Sequence, residues 1–198
     1  MTTFQEIIYP ERSWILKGFF VFLVTFIVLL FSGINVQALE SLYLSTSLDS
    51  KINQIQTSFT TVLPQKDTIM YTKVPRGLVL SIAEEEFFSP EKYLIKASGK
   101  DILNRIIYVL QKYDNDCVIE SHTDEVLSAD SIYSYDWELS IARANRIADY
   151  IVKVGKISSA RVFPLGFGEI MPFKDNVSQK GFRDKRVDFV IFDYDVTR

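Results

Sequence analysis

The sequence predicts an α+β domain, a mixed sheet with two main helices on one face, preceded by one N-terminal transmembrane helix and a short amphipathic stalk. Three observations carry this. An uncharged apolar run, Gly18 to Ile34, lies near the start of the 198-residue chain. A short stretch with heptad spacing follows it. Beyond residue 66, β-branched runs alternate with stretches of helical period, in the order strand, strand, helix, strand, helix, strand, strand.

Composition narrows the function. The net charge of -3 and a pI near 5.3 argue against a nucleic-acid binder, which needs a basic surface to displace counterions from phosphates. The single cysteine, Cys117, excludes an intrachain disulfide framework and a thiolate zinc cluster. The lone histidine, His122, excludes a multi-histidine metal site. Internal repeats are absent.

Residues 1–13 read as a cytoplasmic tail and 14–34 as the transmembrane helix. With Trp14, Ile15 and Leu16 ahead of the apolar run, the helix reaches roughly 31 Å, a bilayer core. Trp14 suits the interface, and the stem of Lys17 can snorkel to the headgroups. Arg12 and Lys17 flank the N-terminal side, and the next basic residue is Lys51. The positive-inside rule therefore places the N-terminus in the cytoplasm and the remainder outside. A cleaved signal peptide is the competing reading, with Val36-Gln37-Ala38 as the cleavage site and Leu39 as the new N-terminus. The length of the run favours a retained anchor. Thr25 and Ser32 are the polar residues of the apolar run, and neither titrates usefully, so the helix reads as a plain anchor.

Residues 35–66 form the stalk. Leu48, Ile52, Ile55, Phe59 and Val62 fall at heptad a and d spacing, which predicts a helix that pairs with a copy of itself in a homodimer. A helix lying on the membrane or on the domain is the alternative. Pro64 ends it.

Residues 67–198 form the domain. Thr68 to Val74 and Leu78 to Ile82 are strands joined by the turn Pro75-Arg76-Gly77. Ser98 to Asp101 reads as a capping box opening a helix whose apolar face is Ile102, Leu103, Ile106, Ile107 and Leu110. Cys117 to Ser121 is a short strand. Trp137 to Val154 is the long helix, with Asp136 as N-cap, Gly155 just past its end, and Trp137, Ile141, Ala144, Ala148 and Ile151 on one face. Arg161 to Leu165 and Val187 to Phe192 are the last strands.

Simple catalytic readings are weak. Cys117 and His122 are five apart on a strand, so they point to opposite faces and form no dyad. Glu120, His122 and Asp124 share a strand face, yet one imidazole and two carboxylates are thin support for a metal. Gly166-Phe167-Gly168 resembles half a dinucleotide fingerprint, but Pro172 and a polar loop follow it instead of a helix, so it reads as a tight turn. No nucleophile–base pair stands out, and a wall hydrolase is disfavoured.

A larger constellation is more specific. Ser121-His122-Thr123-Asp124 is followed by a long loop and then by Trp137-Glu138-Leu139-Ser140-Ile141-Ala142-Arg143-Ala144. After that come Gly166-Phe167-Gly168-Glu169, Pro172, Asn176, Gly181 and Lys185-Arg186-Val187-Asp188. Over residues 66 to 193 this resembles the OmpA-like peptidoglycan-binding domain, and within it the flagellar stator B-subunit (MotB-like) branch. Loop length, the Arg76 to Ile82 hairpin and Phe87-Phe88-Ser89 fit that branch.

The resemblance implies a non-enzymatic protein without cofactor that binds the stem peptide of peptidoglycan. Its ligand would be the free amino-acid centre of diaminopimelate. Asp124 would take the ammonium, and the planar fork of Arg143 would take the carboxylate bidentately. Thr123 would orient the loop and Arg186 would support the site. There are departures. Ser121 stands where the family has glycine, and Lys185 stands where the first of two arginines would be. In the membrane helix, the ion-carrying aspartate of stator B subunits would fall six residues after Trp14, at Phe20, and a phenyl ring carries no ion. The resemblance thus implies an inner-membrane protein with a periplasmic wall-binding domain. It would be a homodimer that tethers a polytopic partner, similar to a stator A subunit, to the wall. The alternative is an ion-driven motor subunit, flagellar or of a defence system, whose acid is supplied elsewhere.

Overall fold

In the computed structural model the described residues are 50–123, 127, 131–170 and 185–193, and they belong to one compact unit. Helix α1 covers 50–62. Strands β1 (Ile69–Val74) and β2 (Gly77–Ala83) follow, then a one-turn 3-10 helix, Glu84–Glu86. Helix α2 (Ala97–Lys112), strand β3 (Cys117–His122), helix α3 (Asp136–Gly155), strand β4 (Val162–Gly168) and strand β5 (Arg186–Phe192) complete the order. The sheet runs β1-β2-β5-β3-β4. All neighbours are antiparallel except β3 and β4, so the sheet is mixed, as the sequence implies. The antiparallel return of β5 between β2 and β3 is what brings the start of β5 beside the ends of β2 and β3.

Period-two alternation sorts the strands onto two faces. Leu78, Leu80 and Ile82 of β2, Cys117 and Ile119 of β3, and Val187, Phe189 and Ile191 of β5 share one core with α2 and α3. Val79, Val118, Phe163, Val190 and Phe192 form a smaller apolar patch on the other face. On α2, Ile102, Leu103, Ile106, Ile107 and Leu110 are all buried.

Several local expectations are corrected. The apolar seam of α1 does not stand free for a second copy: Ile52, Ile55, Phe59 and Leu63 are buried in the same core as the sheet. Heptad spacing marks an apolar stripe and does not say what covers it. Helix α1 is thus a third helix of the domain, and the domain begins before residue 67. Leu48 lies outside the described residues.

Helix α2 has no capping box. Its N-cap is Lys96, without a side-chain bond, and Ser98 Oγ instead donates to the Glu86 carbonyl at 3.4 Å. On α3 the N-cap is Tyr135, one residue before Asp136. The Glu138 carboxylate accepts from the backbone N–H of Ser134 at 2.8 Å and of Tyr135 at 3.2 Å. Gly155 is the last helical residue, and Lys156 takes the left-handed conformation, φ 55°. The buried face of α3 is Leu139, Arg143, Ala144, Ile147, Ala148 and Ile151, while Trp137 and Ile141 are 48% and 40% exposed.

Gly166-Phe167-Gly168 ends β4, and the expected tight turn follows from it: Ile170 N–H donates to the Phe167 carbonyl at 3.1 Å, and Gly168 has φ 54°. A Cβ on Gly166 would lie 2.4 Å from the Ile141 backbone N, so this glycine lets α3 press against β4. At the β1–β2 turn, Gly77 has φ 139°, and a Cβ there would sit 2.0 Å from the Ile191 carbonyl.

Candidate functional site

Four strand termini meet at one rim of the sheet. There β2 runs into Glu84, β3 into Thr123, β4 ends at Gly168, and β5 begins after Lys185. Backbone bonds tie them: Glu84 N–H donates to Lys185 O at 3.1 Å, and Thr123 N–H to Gly168 O at 3.2 Å. Helix α3 delivers Arg143 to this rim from the core side.

Arg143 is 0% exposed and is the largest fully buried side chain among the described residues. A buried guanidinium must be paired and hydrogen-bonded, because its charge cannot be neutralised by deprotonation. Its Nη1 lies 2.8 Å from Glu84 Oε2. Nη1 also donates to Thr123 Oγ1 at 3.3 Å, Nε to the Lys92 carbonyl at 2.9 Å, and Nη2 to the Ser89 carbonyl at 3.2 Å. The Phe88 ring centroid is 5.1 Å from Cζ, within cation–π range.

The structure therefore brings Thr123 and Arg143 together. Asp124 follows Thr123 in the chain but lies outside the described residues, as do Phe20 and the whole of 14–34. Among the described residues no helix is long and apolar enough to cross a membrane. Glu84 is the partner that sequence reasoning missed. In Glu84-Glu85-Glu86 nothing in the residue types says which carboxylate turns inward; the alternation of β2 does, since Leu80 and Ile82 already face the core and Glu84 continues that face.

Arg186 occupies the same rim on the opposite face of the sheet. It pairs in register with Ala83 and His122. Its Nε donates to Asp188 Oδ2 at 2.9 Å, and its Nη2 lies 3.4 Å from His122 Nε2. His122 stacks on Phe167, ring centroids 5.1 Å apart at 8°. His122 Nε2 also lies 3.4 Å from Asp188 Oδ2, so this one ring nitrogen faces both the guanidinium and the carboxylate. Next to this group, Arg76 Nη2 reaches both Glu120 carboxylate oxygens, at 3.2 and 3.4 Å.

Glu120, His122 and Asp188 bring three ligand-type atoms within 4.8 Å of one another. This replaces the linear Glu120-His122-Asp124 triple read from the sequence. The guanidinium of Arg186 already binds Asp188 and that of Arg76 binds Glu120, so each carboxylate is neutralised by the protein itself. Burial raises the Glu120 pKa above its ordinary value, with Arg76 opposing. Burial also works against the charge of Asp188, but hydrogen bonds from His122 and Ser81 and the Arg186 charge together hold its pKa below the usual carboxylate value. Cys117 sits on the core face, away from His122, and burial pushes its thiol up to about 12. That thiol is no nucleophile.

A mixed five-stranded sheet with its helices packed on one face and a paired arginine at the rim where β2, β3 and β5 meet defines an OmpA-like α+β domain. The chain belongs to the OmpA family, whose model matches residues 87–186. It is 32% identical over 117 residues to the uncharacterized protein YtxE of Bacillus subtilis, a match covering 59% of this chain and 48% of that one. It is 25% identical over 120 residues to Motility protein B of the same organism, covering 58% of this chain and 45% of the relative. The chain thus spans about half the length of these curated relatives. Among solved structures, a MotB-like protein from Desulfovibrio vulgaris superposes with a TM-score of 0.65 at 23% identity, covering 74% of this chain and 94% of that one. The cell wall anchor of the type VI secretion system from Pseudomonas aeruginosa gives a TM-score of 0.55 at 24% identity, covering 63% and 87%. These structural likenesses establish the fold.

Proposed function

We propose that this domain binds the stem peptide of peptidoglycan without covalent chemistry and ties a membrane assembly to the cell wall. The observation that carries the reading is the rim cluster in an OmpA-family domain: Arg143, held against Thr123 with Asp124 next in the chain. A free amino-acid centre such as that of diaminopimelate presents an ammonium and a carboxylate a few ångströms apart. Recognition needs one fixed anion and one fixed cation at that separation. Asp124 takes the ammonium and Arg143 the carboxylate. Each charge-assisted contact is worth about 1.5–3 kcal/mol, so a single site is weak. Arg186, committed to Asp188 two residues along β5 on the opposite face of the sheet from Arg143, supports the rim and does not touch the ligand.

Residues 14–34 anchor the chain in the inner membrane with the domain in the periplasm, and a polytopic subunit is its partner there. The similarity to Motility protein B supports a stator-like assembly. Phe20 at the carrier position means that any ion-binding acid comes from another chain. No catalytic role is assigned.

The test is co-sedimentation of the purified chain with diaminopimelate-type sacculi. The parent should pellet, and Asp124→Ala and Arg143→Ala should remain in solution. If both variants pellet as well as the parent, the assignment of the site is wrong.

A further inference from the structure

The cation proposed to hold the ligand is already holding a carboxylate. Every nitrogen of the Arg143 guanidinium is engaged: Nη1 by Glu84 and Thr123, Nε by Lys92 O and Nη2 by Ser89 O. A bidentate grip on a ligand carboxylate needs two N–H groups on one edge of the fork. Each edge here meets a protein acceptor, and the Phe88 ring lies near the guanidinium.

The elements that close the fork are short. Glu84 opens a single 3-10 turn, outside the strand ladder of β2. Ser89 and Lys92 are the two ends of one tight turn, closed by Lys92 N–H donating to Ser89 O at 3.0 Å. Pro90 supplies the second position of that turn, and Glu91 the third, at φ 52°. That is the left-handed region, which side-chain-bearing residues adopt reluctantly. The carbonyls holding Arg143 are thus presented by a strained turn.

Resting on the wall-binding reading, we infer that Glu84 is an internal competitor for Arg143. In the free domain it occupies the fork, and the ligand carboxylate displaces it. The exchange swaps one carboxylate–guanidinium contact for another of the same chemistry, so a simple carboxylate gains little by entering. Only a ligand that brings further contacts of its own can open the site. Glu84 is therefore a specificity-setting residue: it makes Arg143 refuse lone carboxylates and accept a zwitterionic peptide end.

The experiment compares the full-length chain with Glu84→Gln and Arg143→Ala in two assays. One is phenylglyoxal modification, read at Arg143 by peptide mass spectrometry without ligand. The other is equilibrium binding to diaminopimelate-type sacculi. The parent Arg143 should resist the reagent. Glu84→Gln should react about ten-fold faster and bind sacculi about ten-fold tighter, the equivalent of one charge-assisted contact removed from the closed state. Unchanged reactivity in Glu84→Gln overturns the inference. So does weaker binding by Glu84→Gln than by the parent, which makes Glu84 a residue that positions the fork while leaving the wall-binding reading intact. Faster modification with no sacculus binding by either protein supports the competitor and removes the wall-binding reading. If Glu84→Gln loses its native circular dichroism, Glu84→Asp serves. It keeps the charge and withdraws it by one methylene, and a folded variant with no acceleration refutes the inference.

Discussion

Replacing Phe59 with alanine should cost the domain about 3–5 kcal/mol, the range for deleting a buried aromatic ring. The structure argues for that full range. Phe59 is 0% exposed, its neighbour Ile55 is 1% exposed, and both belong to the core shared with the sheet. The ring enters from α1 across residues far apart in sequence, so no local adjustment fills the space it leaves. The polar ties of α1 survive the change. Ser58 Oγ and Tyr113 Oη stay 2.9 Å apart, and Arg105 Nη1 still donates to the Val62 carbonyl at 2.7 Å. Such ties contribute about 1 kcal/mol each, too little to replace the ring. Urea denaturation followed by circular dichroism measures the effect. With a slope of about 2 kcal/mol per molar, the midpoint should fall by about 1.5–2.5 M. Ile147→Ala on α3, also 0% exposed, provides the reference for a core truncation. The parent midpoint should not depend on protein concentration, because the seam is closed within one chain. A loss below about 1 kcal/mol for Phe59→Ala alongside a full loss for Ile147→Ala would refute the placement of α1. A midpoint that climbs with concentration would return the seam to a partner copy.

Gly166→Ala should destabilise by several kcal/mol or displace α3, since the new methyl meets backbone, not a movable side chain, at 2.4 Å; the denaturation midpoint reports it. Cys117, with its thiol pushed up to about 12, should ignore Ellman's reagent at pH 8 until the chain unfolds, so its modification rate tracks global opening. The two buried carboxylates of the opposite face pull stability in opposite directions. Asp188 has a depressed pKa in the fold, so its contribution is present above the unfolded value and is lost as pH falls through the folded one. Glu120 has a raised pKa, so its contribution is present below the unfolded value and is lost as pH rises through the folded one. Asp188→Asn should therefore lower stability at pH 7 and flatten the acid limb. Glu120→Gln should remove the loss on the rising side; thermal melts across pH 3 to 8 decide both.

The strands and the apolar face of α2 were legible because each is a local pattern: alternation, or a stripe at helical spacing. What covers a stripe is not local. Ile52, Ile55 and Phe59 have the same spacing whether a second helix or their own sheet lies against them, and only the return of β1 and β2 beside α1 decides it. Trp137 and Ile141 misled for a related reason. Size and apolarity suggested core, but α3 is turned so that Leu139, Arg143 and Ile147 face inward. The burial of a guanidinium at such a position is invisible to any rule that sorts residues by hydropathy. Thr123 and Arg143 could be paired from the sequence only through the resemblance to a family. Glu84 had no such signal, because its role comes from the register of β2 and not from its neighbours.

Two arginines stand at one rim, each bound to a carboxylate, and the elements carrying those carboxylates separate their roles. Asp188 lies within β5, paired with Ser81 on one side and Glu120 on the other, so both neighbouring strands fix its backbone. For Arg186 to release it, a buried aspartate inside the sheet would lose its guanidinium and keep only the hydrogen bonds from His122 and Ser81, a loss of the order of 3–5 kcal/mol. Glu84 lies just past the end of β2. Its backbone is held by Lys185 and its side chain is as buried as that of Asp188, but it is carried by a three-residue turn beyond the ladder of β2, so its release opens no strand pair. An arriving carboxylate then restores the lost contact. A pair that can exchange its anion without stranding a charge is suited to binding, and one that cannot is suited to holding the sheet together. By that criterion the proposed ligand-facing role suits Arg143 better than Arg186, although both are buried and both are paired.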